Sequence, residues 1–183
     1  LVAIGQPLGL IYGYVSDGRY EVSDFDYNGS TYTLKAGVAN SSSTVGYLAP
    51  GSMKLKDLNG DGKVDASDRT IIGNTNPKST GGFTLNGSLK NFDLSAAFNW
   101  SIGNDVYNAD KIEFTSATTT PDGQYRNLSS VMADGLRWTN VDPNTGSLVT
   151  DPTALAALNA NTTMWSPYMA RYVVSSWAVE DGS

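Results

Sequence analysis

Between Phe83 and Ser101 apolar and polar residues alternate almost without interruption, and no other feature constrains the chain as strongly. Phe83, Leu85, Gly87 and Leu89 alternate with Thr84, Asn86, Ser88 and Lys90; Phe92, Leu94, Ala96, Phe98 and Trp100 then alternate with Asp93, Ser95, Ala97, Asn99 and Ser101. Successive side chains of a strand point to opposite faces, so this period of two predicts strands. A two-residue turn at Lys90-Asn91 pairs Leu89 with Phe92, Gly87 with Leu94, Leu85 with Ala96 and Phe83 with Phe98, which collects the apolar set on one face. Two strands of about ten residues, at about 3.3 Å each, make a hairpin roughly 30 Å long. Tilted, that length crosses an outer-membrane hydrocarbon band, with Phe92 near one interface and Phe83, Phe98 and Trp100 near the other. A soluble sandwich hairpin with one wet face is the commoner structure and has the same period, so periodicity leaves both readings open.

The stretch Asp57-Leu58-Asn59-Gly60-Asp61-Gly62-Lys63-Val64-Asp65-Ala66-Ser67-Asp68 carries the chemistry. It matches an EF-hand-like calcium loop, because a hard cation takes its oxygens from alternate positions of one sharp turn. The expected ligands are the side chains of Asp57, Asn59 and Asp61, the carbonyl of Lys63, Asp65 directly or through water, and Asp68 at the closing position. Gly62 permits the turn, Val64 ties the loop to apolar structure, and the Lys63 ammonium points outward. An Asx-rich turn that binds nothing is the plainer alternative. Aspartate rather than glutamate closes the loop, so modest affinity for Ca2+ is expected. A filled oxygen shell makes such a site structural rather than catalytic, and carboxylate repulsion is expected to hold the loop open without a cation.

Composition narrows the function classes. With 18 acidic and 12 basic residues the net charge is −6, and no Lys/Arg cluster exists to release counterions, so no nucleic-acid partner is expected. The chain has no cysteine and no histidine, which excludes disulfides, thiolate sites, a Ser-His triad and a His-bound zinc within it. No run approaches the roughly 20 apolar residues of a membrane helix. The 19 glycines and 10 tyrosines, with abundant Ser, Thr and Asn, suggest a β-rich chain with long polar loops. At 183 residues the chain suits one domain or part of something larger. The start on Leu1 and the turn-like tetrad from Glu180 to Ser183 favour the latter.

Along the chain, Gly5 to Tyr20 reads as extended segments around turns at Pro7-Leu8-Gly9 and Ser16-Asp17-Gly18. Asn28-Gly29 signals a hairpin between Phe25/Tyr27 and Tyr32/Leu34, and Asn40 to Thr44 reads as loop. Ile71-Ile72-Gly73 and a turn at Asn76-Pro77-Lys78 follow the acidic loop. Beyond Ser101 the pattern becomes polar: Asp122-Gly123 reads as a turn, and Leu128, Val131, Met132 and Leu136 fall at helical spacing. Asp151-Pro152-Thr153 caps a short helix ending near Asn159 to Asn161. Tyr168 to Val179 is strand-like.

These blocks together resemble a known family. Pro50 to Gly62, Asp68-Arg69-Thr70-Ile71-Ile72-Gly73-Asn74 with Pro77-Lys78, Gly81-Gly82-Phe83, and Phe92-Asp93-Leu94-Ser95 are similar to the C-terminal barrel region of SusC/RagA-type TonB-dependent outer-membrane transporters of Bacteroidetes. Gly9 to Tyr14 with Asp17-Gly18 looks like that family's upstream segment, and Val179 to Ser183 like the lead-in to its next strand. The match is weakest from Thr115 to Met164, where Arg137-Trp138 alone is familiar.

The resemblance implies an all-β fold, a fragment of a large antiparallel transmembrane β-barrel of about 22 strands with a plugged lumen, bearing long extracellular loops and short loop helices. It implies residues 81–101 as a transmembrane hairpin in contact with outer-membrane lipid. Residues 105–164 become a long extracellular loop, on the same side as the calcium loop. It further implies import of oligosaccharides or peptides beneath a SusD-like surface lipoprotein, with energy from the TonB complex reached through parts of the parent protein that this chain lacks. The competing reading is a secreted calcium-stabilised β-sandwich, a carbohydrate-binding or adhesion module with Trp138, Trp165 or Tyr107 as stacking platforms. No enzyme is expected: Asp24 and Asp26, beside a Gly-rich turn, are solvated rather than a glycosidase pair.

Overall fold

The computed structural model describes residues 4–117, 127–168 and 172–183. Its strands are β1 (Leu10–Gly13), β2 (Ser16–Arg19), β3 (Phe25–Tyr27), β4 (Tyr32–Leu34), β5 (Met53–Leu55), β6 (Thr70–Asn74), β7 (Ser79–Leu89), β8 (Phe92–Ile102), β9 (Asp105–Tyr107) and β10 (Val179–Asp181). Three short helices join them: α1 (Ser42–Val45), α2 (Ala109–Glu113) and α3 (Pro152–Leu158). Pairing is antiparallel throughout, β1 with β6, β2 with β5, β3 with β4, β7 with β8 and β9 with β10.

The β7–β8 hairpin has the register that the alternation predicts, from Leu89↔Phe92 to Ser79↔Ile102, and is slightly longer than expected at both open ends. Lys90 turns the chain at φ 56°, the one described non-glycine residue in the left-handed region. A two-residue turn needs a positive φ at its first central position to follow the strands' twist. On the apolar face Phe83 stacks on Phe98 at 4.7 Å. Trp100 lies over Gly81, where a Cβ would collide with the indole, and its Nε1 donates to Ser79 Oγ at 3.2 Å. On the polar face Ser95 Oγ donates to Asn86 Oδ1 at 2.7 Å. The apolar face is uncovered: Phe92 is 81% and Leu94 63% exposed.

The hairpin continues into the other strands. Lys78 N donates to Ile102 O at 2.9 Å and Asn74 N to Asp105 Oδ2 at 2.7 Å, so β6 runs into β7 and β8 into β9 beside one another. With β1 on β6 and β10 on β9, the spatial order is β1, β6–β7, β8–β9, β10, an arc of antiparallel staves. Both long connections, residues 14–69 and 108–178, therefore leave from the end opposite Lys90-Asn91.

The hydrophobic core lies in those connections, not on the arc. Tyr14, Val45, Met53, Leu55 and Val64 from the first pack with Met132, Trp165 and Val173 from the second. Backbone bonds join the two: Tyr14 N to Val174 O at 2.9 Å, Ser176 N to Tyr14 O at 2.8 Å and Ser166 N to Gly51 O at 2.8 Å. Gly51, at φ 88°, lies against the Trp138 ring, leaving no space for a Cβ. Above that ring sits the Arg19 guanidinium, 4.8 Å from its centroid, donating to Met164 O at 2.9 Å, Asn159 O at 3.3 Å and Thr162 Oγ1 at 2.5 Å.

Several local expectations hold. Asn28 Oδ1 accepts from Thr31 N at 2.9 Å and shapes the β3–β4 connection. Asp151 caps α3 by accepting from Ala154 N at 2.8 Å, and the helix closes at Asn159. Others are corrected. Ser16-Asp17-Gly18 is not a turn but lies in β2, with a bulge against β5. Asn40 to Thr44 is not loop throughout: α1 begins at Ser42, and Ser43 Oγ and Thr44 Oγ1 tie it to Val64 O across the fold. Leu128 to Leu136 makes only a 3-10 turn at Ser130–Met132. Between Tyr172 and Val179 there is a single bridge, Tyr14↔Ser175, and a 3-10 turn at Ser176–Ala178, so the strand begins only at Val179. Asp122-Gly123 lies outside the described residues.

The Arg19 junction yields a stability prediction. Arg19→Met keeps the packed stem and removes the donors that bind three partners on the second connection. It should cost about 1.5–3 kcal/mol, the range for hydrogen bonds to a charged group, read from guanidinium titration followed by tryptophan fluorescence.

Candidate functional site

The acidic loop hangs from the first connection by a buried peg. Val64 is fully buried, its N–H donates to Asn40 O at 2.9 Å, and its carbonyl accepts from Ser43 Oγ at 2.7 Å and Thr44 Oγ1 at 2.9 Å. Asn40 N in turn donates to Gly62 O at 2.9 Å. Gly60 and Gly62 take φ of 78° and 84°, conformations in which a β-carbon would be strained.

Within that frame the carboxylates gather the loop's own amides. Asp57 accepts from Gly60 N at 2.6 Å and Gly62 N at 2.8 Å. Asn59 Oδ1 accepts from Asp61 N, and Asp61 Oδ1 from Lys63 N, each at 2.9 Å. Asp65 Oδ1 accepts from Ser67 N at 2.8 Å and Ser67 Oγ at 2.7 Å. Asp68 is fully buried and binds Leu58 N at 2.9 Å through Oδ1 and Asp65 N at 2.8 Å through Oδ2, closing a capping box with Asp65. N–H donors of the loop's own backbone thus hold it folded. Asn59, Asp61, Lys63 and Asp65 are exposed and Asp57 half-buried. Among the described residues no three acidic side chains converge as a metal-holding group. The donor set is nevertheless all oxygen, the chemistry a hard cation takes, and each Asp57 oxygen keeps a lone pair beyond the one amide it accepts from.

The other sequence candidates fall elsewhere. Trp138 and Trp165 are buried, the first under Arg19 and the second edge-on to Trp177 at 4.7 Å. Neither is a stacking platform. Tyr107 is half-buried. Asp24 pairs with Lys54 at 3.3 Å and accepts from Glu21 N at 3.0 Å, while Asp26 is exposed on β3. They form no carboxylate pair. Sequence reasoning did not single out Arg69 for a contact of its own: its Nε donates to Tyr14 Oη at 3.1 Å and its guanidinium lies 5.2 Å from the Tyr14 ring centroid. Those partners are 55 residues apart, and no local pattern marks them.

Comparison with curated proteins gives this geometry a context. The chain is 32% identical to TonB-dependent receptor P3 of Formosa agariphila over 120 residues, 64% of this chain and 11% of that receptor. It is 32% identical to TonB-dependent receptor P39 of the same organism over 129 residues, 58% of this chain and 12% of that receptor. No family model matches the chain. The chain therefore spans about a ninth of the length of these relatives. It is an all-β chain with short helices, and its relatives are β-barrel receptors rather than enzymes. The chain is thus similar to TonB-dependent receptors, a class of outer-membrane proteins.

The loop's hydrogen bonds make it acid-sensitive. The carboxyl of Asp65 is held below its ordinary value first by the Ser67 amide and then by the Ser67 hydroxyl. That of Asp68 is lowered first by the Asp65 amide, with Leu58 and Asn59 adding to it against the opposing effect of burial. Folding thus favours the ionised forms. Their contribution is present above an unfolded aspartate's 3.8 and is lost as pH falls through the depressed values. Amide exchange at Leu58 and Asp65 should lose protection below about pH 4, and Asp68→Asn should lose it already at neutral pH.

Proposed function

We propose that this chain is a stretch of barrel wall, with two surface loops, from a SusC/RagA-type transporter that imports glycans or peptides together with a SusD-like lipoprotein. The observation that carries this is the four-stave arc, whose hairpin has one uncovered apolar face and one polar face. A barrel wall needs lipid on one side and a wet lumen on the other. The apolar face of β7 and β8 meets the bilayer, and Lys90-Asn91 is the short turn on the periplasmic side. Residues 14–69 and 108–178 then project outward, where a lipoprotein lid and the substrate arrive. The reach to the TonB complex belongs to parts of the parent protein outside this chain. A secreted sandwich is the weaker reading, since the described residues include no second sheet over the apolar face and two of its three aromatic platforms are buried.

The same proposal assigns Ca2+ to the Asp57–Asp68 loop, with Asp57, Asn59, Asp61, the Lys63 carbonyl, Asp65 and Asp68 as its holders. The ion would offset half the charge of the four carboxylates and brace the loop. What the chain's own residues do is position that loop: Val64 anchors it and Asp68 joins its two ends.

Two experiments on the full-length receptor test these assignments. Cells that lose it should lose uptake of one substrate class. Leu85→Arg, facing lipid at mid-strand, should cost about 2–4 kcal/mol, whereas Asn86→Arg on the lumen face should cost far less. Unchanged uptake, or equal costs at the two neighbouring positions, would sink the transporter reading. For the ion, calorimetry should show calcium binding in the millimolar range that Asp61→Ala abolishes and Lys63→Ala spares, because only the lysine's carbonyl is used. The absence of any calcium heat, or equal loss from both variants, would show that the loop is only a turn.

A further inference from the structure

A cleft of about 360 Å³ opens between the two long connections, lined by Tyr12 and Tyr14 of the first stave and its extension, Ser43 and Thr44 of α1, Arg69, and Tyr172 of the second connection. Its size falls within the range of small-ligand sites, and its polar groups are arranged for one chemistry. The Arg69 guanidinium is fixed at its inner edge by the bond from Nε to Tyr14 Oη at 3.1 Å and by the Tyr14 ring beneath it. Among the described residues its two terminal nitrogens have no partner, and the side chain is exposed. A guanidinium held by Nε and open at the other two nitrogens is a preformed fork for a carboxylate.

The rest of the lining adds to this. Ser43 and Thr44 both spend their hydroxyl hydrogens on Val64 O, at 2.7 and 2.9 Å. Their oxygens are left as acceptors, which suit the hydroxyls of a polyol. Tyr12 is 37% and Tyr172 66% exposed, so ring surface is available for the apolar C–H faces of a sugar. The nearest carboxylate in sequence, Asp68, is turned away onto the Leu58 and Asp65 amides.

We infer that this cleft is a subsite for a uronate, the carboxylate-bearing ring of an acidic saccharide. Arg69 takes the carboxylate, Ser43 and Thr44 accept from ring hydroxyls, and Tyr172 covers the ring from the second connection. The biological use of the site rests on the glycan-import reading; its chemistry does not.

The test is calorimetry on the full-length receptor in detergent, with trigalacturonate as probe and maltotriose as its neutral counterpart. Trigalacturonate should bind at least about tenfold more tightly than maltotriose. Arg69→Lys, which keeps the charge and loses the fork, should weaken trigalacturonate by about tenfold and leave maltotriose unchanged. Tyr172→Ala lies outside the core, so it carries the test if the Arg69 variant fails to fold, and it should weaken trigalacturonate severalfold. Equal binding of the two sugars, no trigalacturonate heat, or trigalacturonate binding that withstands both substitutions overturns the subsite. Uptake measured alongside separates the two readings: a receptor that binds trigalacturonate as described and imports nothing counts against transport alone, while normal uptake without trigalacturonate binding overturns the subsite alone.

Discussion

A slip of one residue in the pairing of β7 with β8 would turn one strand's apolar set to the opposite face, and most of this architecture follows from the register that Leu89 and Phe92 set. With Leu89 opposite Phe92, every large apolar residue from Phe83 to Trp100 shares a side, and Asn86, Ser88, Asp93, Ser95 and Asn99 share the other. The same register brings Lys78 to Ile102 and so leads β6 and β9 up beside each other. Once that is settled, the strands on either flank can join only as β1 and β10. The long connections have one end of the arc from which to leave, because the opposite end is closed by a two-residue turn.

What those connections build is unusual for a sheet protein. The staves bury almost nothing themselves, and the core is assembled from Val45, Leu55, Val64, Met132 and Trp165, all in the two long connections. Burial of such side chains is worth about 1.5–3 kcal/mol each in water, a driving force that is absent between surfaces bathed in lipid. If the staves face a membrane, as the proposed function has it, the water-driven core has to lie where water is, beyond the strand ends. Arg19 shows how closely the two connections depend on one another. Its fork reaches carbonyls on the second connection while its plane covers Trp138, and Trp138 in turn fits only because residue 51 has no side chain.

This division explains which features are legible in the sequence. The hairpin, its turn and its register follow from alternation that is complete within twenty or so residues, and the Asp151-Pro152 cap of α3 and the Asn28-Gly29 connection are local signals too. The Asp57–Asp68 loop is read from its spacing alone, down to Val64 as its anchor. The rest depends on partners far away in sequence. Leu128 to Leu136 has helical spacing, yet Met132 is drawn into a core whose other members begin at Tyr14, and a 3-10 turn is all that remains. Trp138 and Trp165 look like free aromatics until Arg19 and Trp177 cover them. Arg69 belongs to a recognisable block of residues, but its contact with Tyr14 is invisible without the fold.

Arg69 also shows why the acidic loop and the cleft are parts of one construction. Asp68 is pinned by amides from both ends of its loop, and the residue after it is the guanidinium that grips Tyr14. Val64, the loop's buried peg, holds Ser43 and Thr44 through its carbonyl, so the opposite wall of the cleft hangs from the same twelve residues. Tyr14 then passes the constraint to the second connection through its backbone bonds to Val174 and Ser176. Loosening of the loop would therefore act on both polar walls of the cleft, through Val64 on the two hydroxyls and through Asp68 on the neighbouring Arg69.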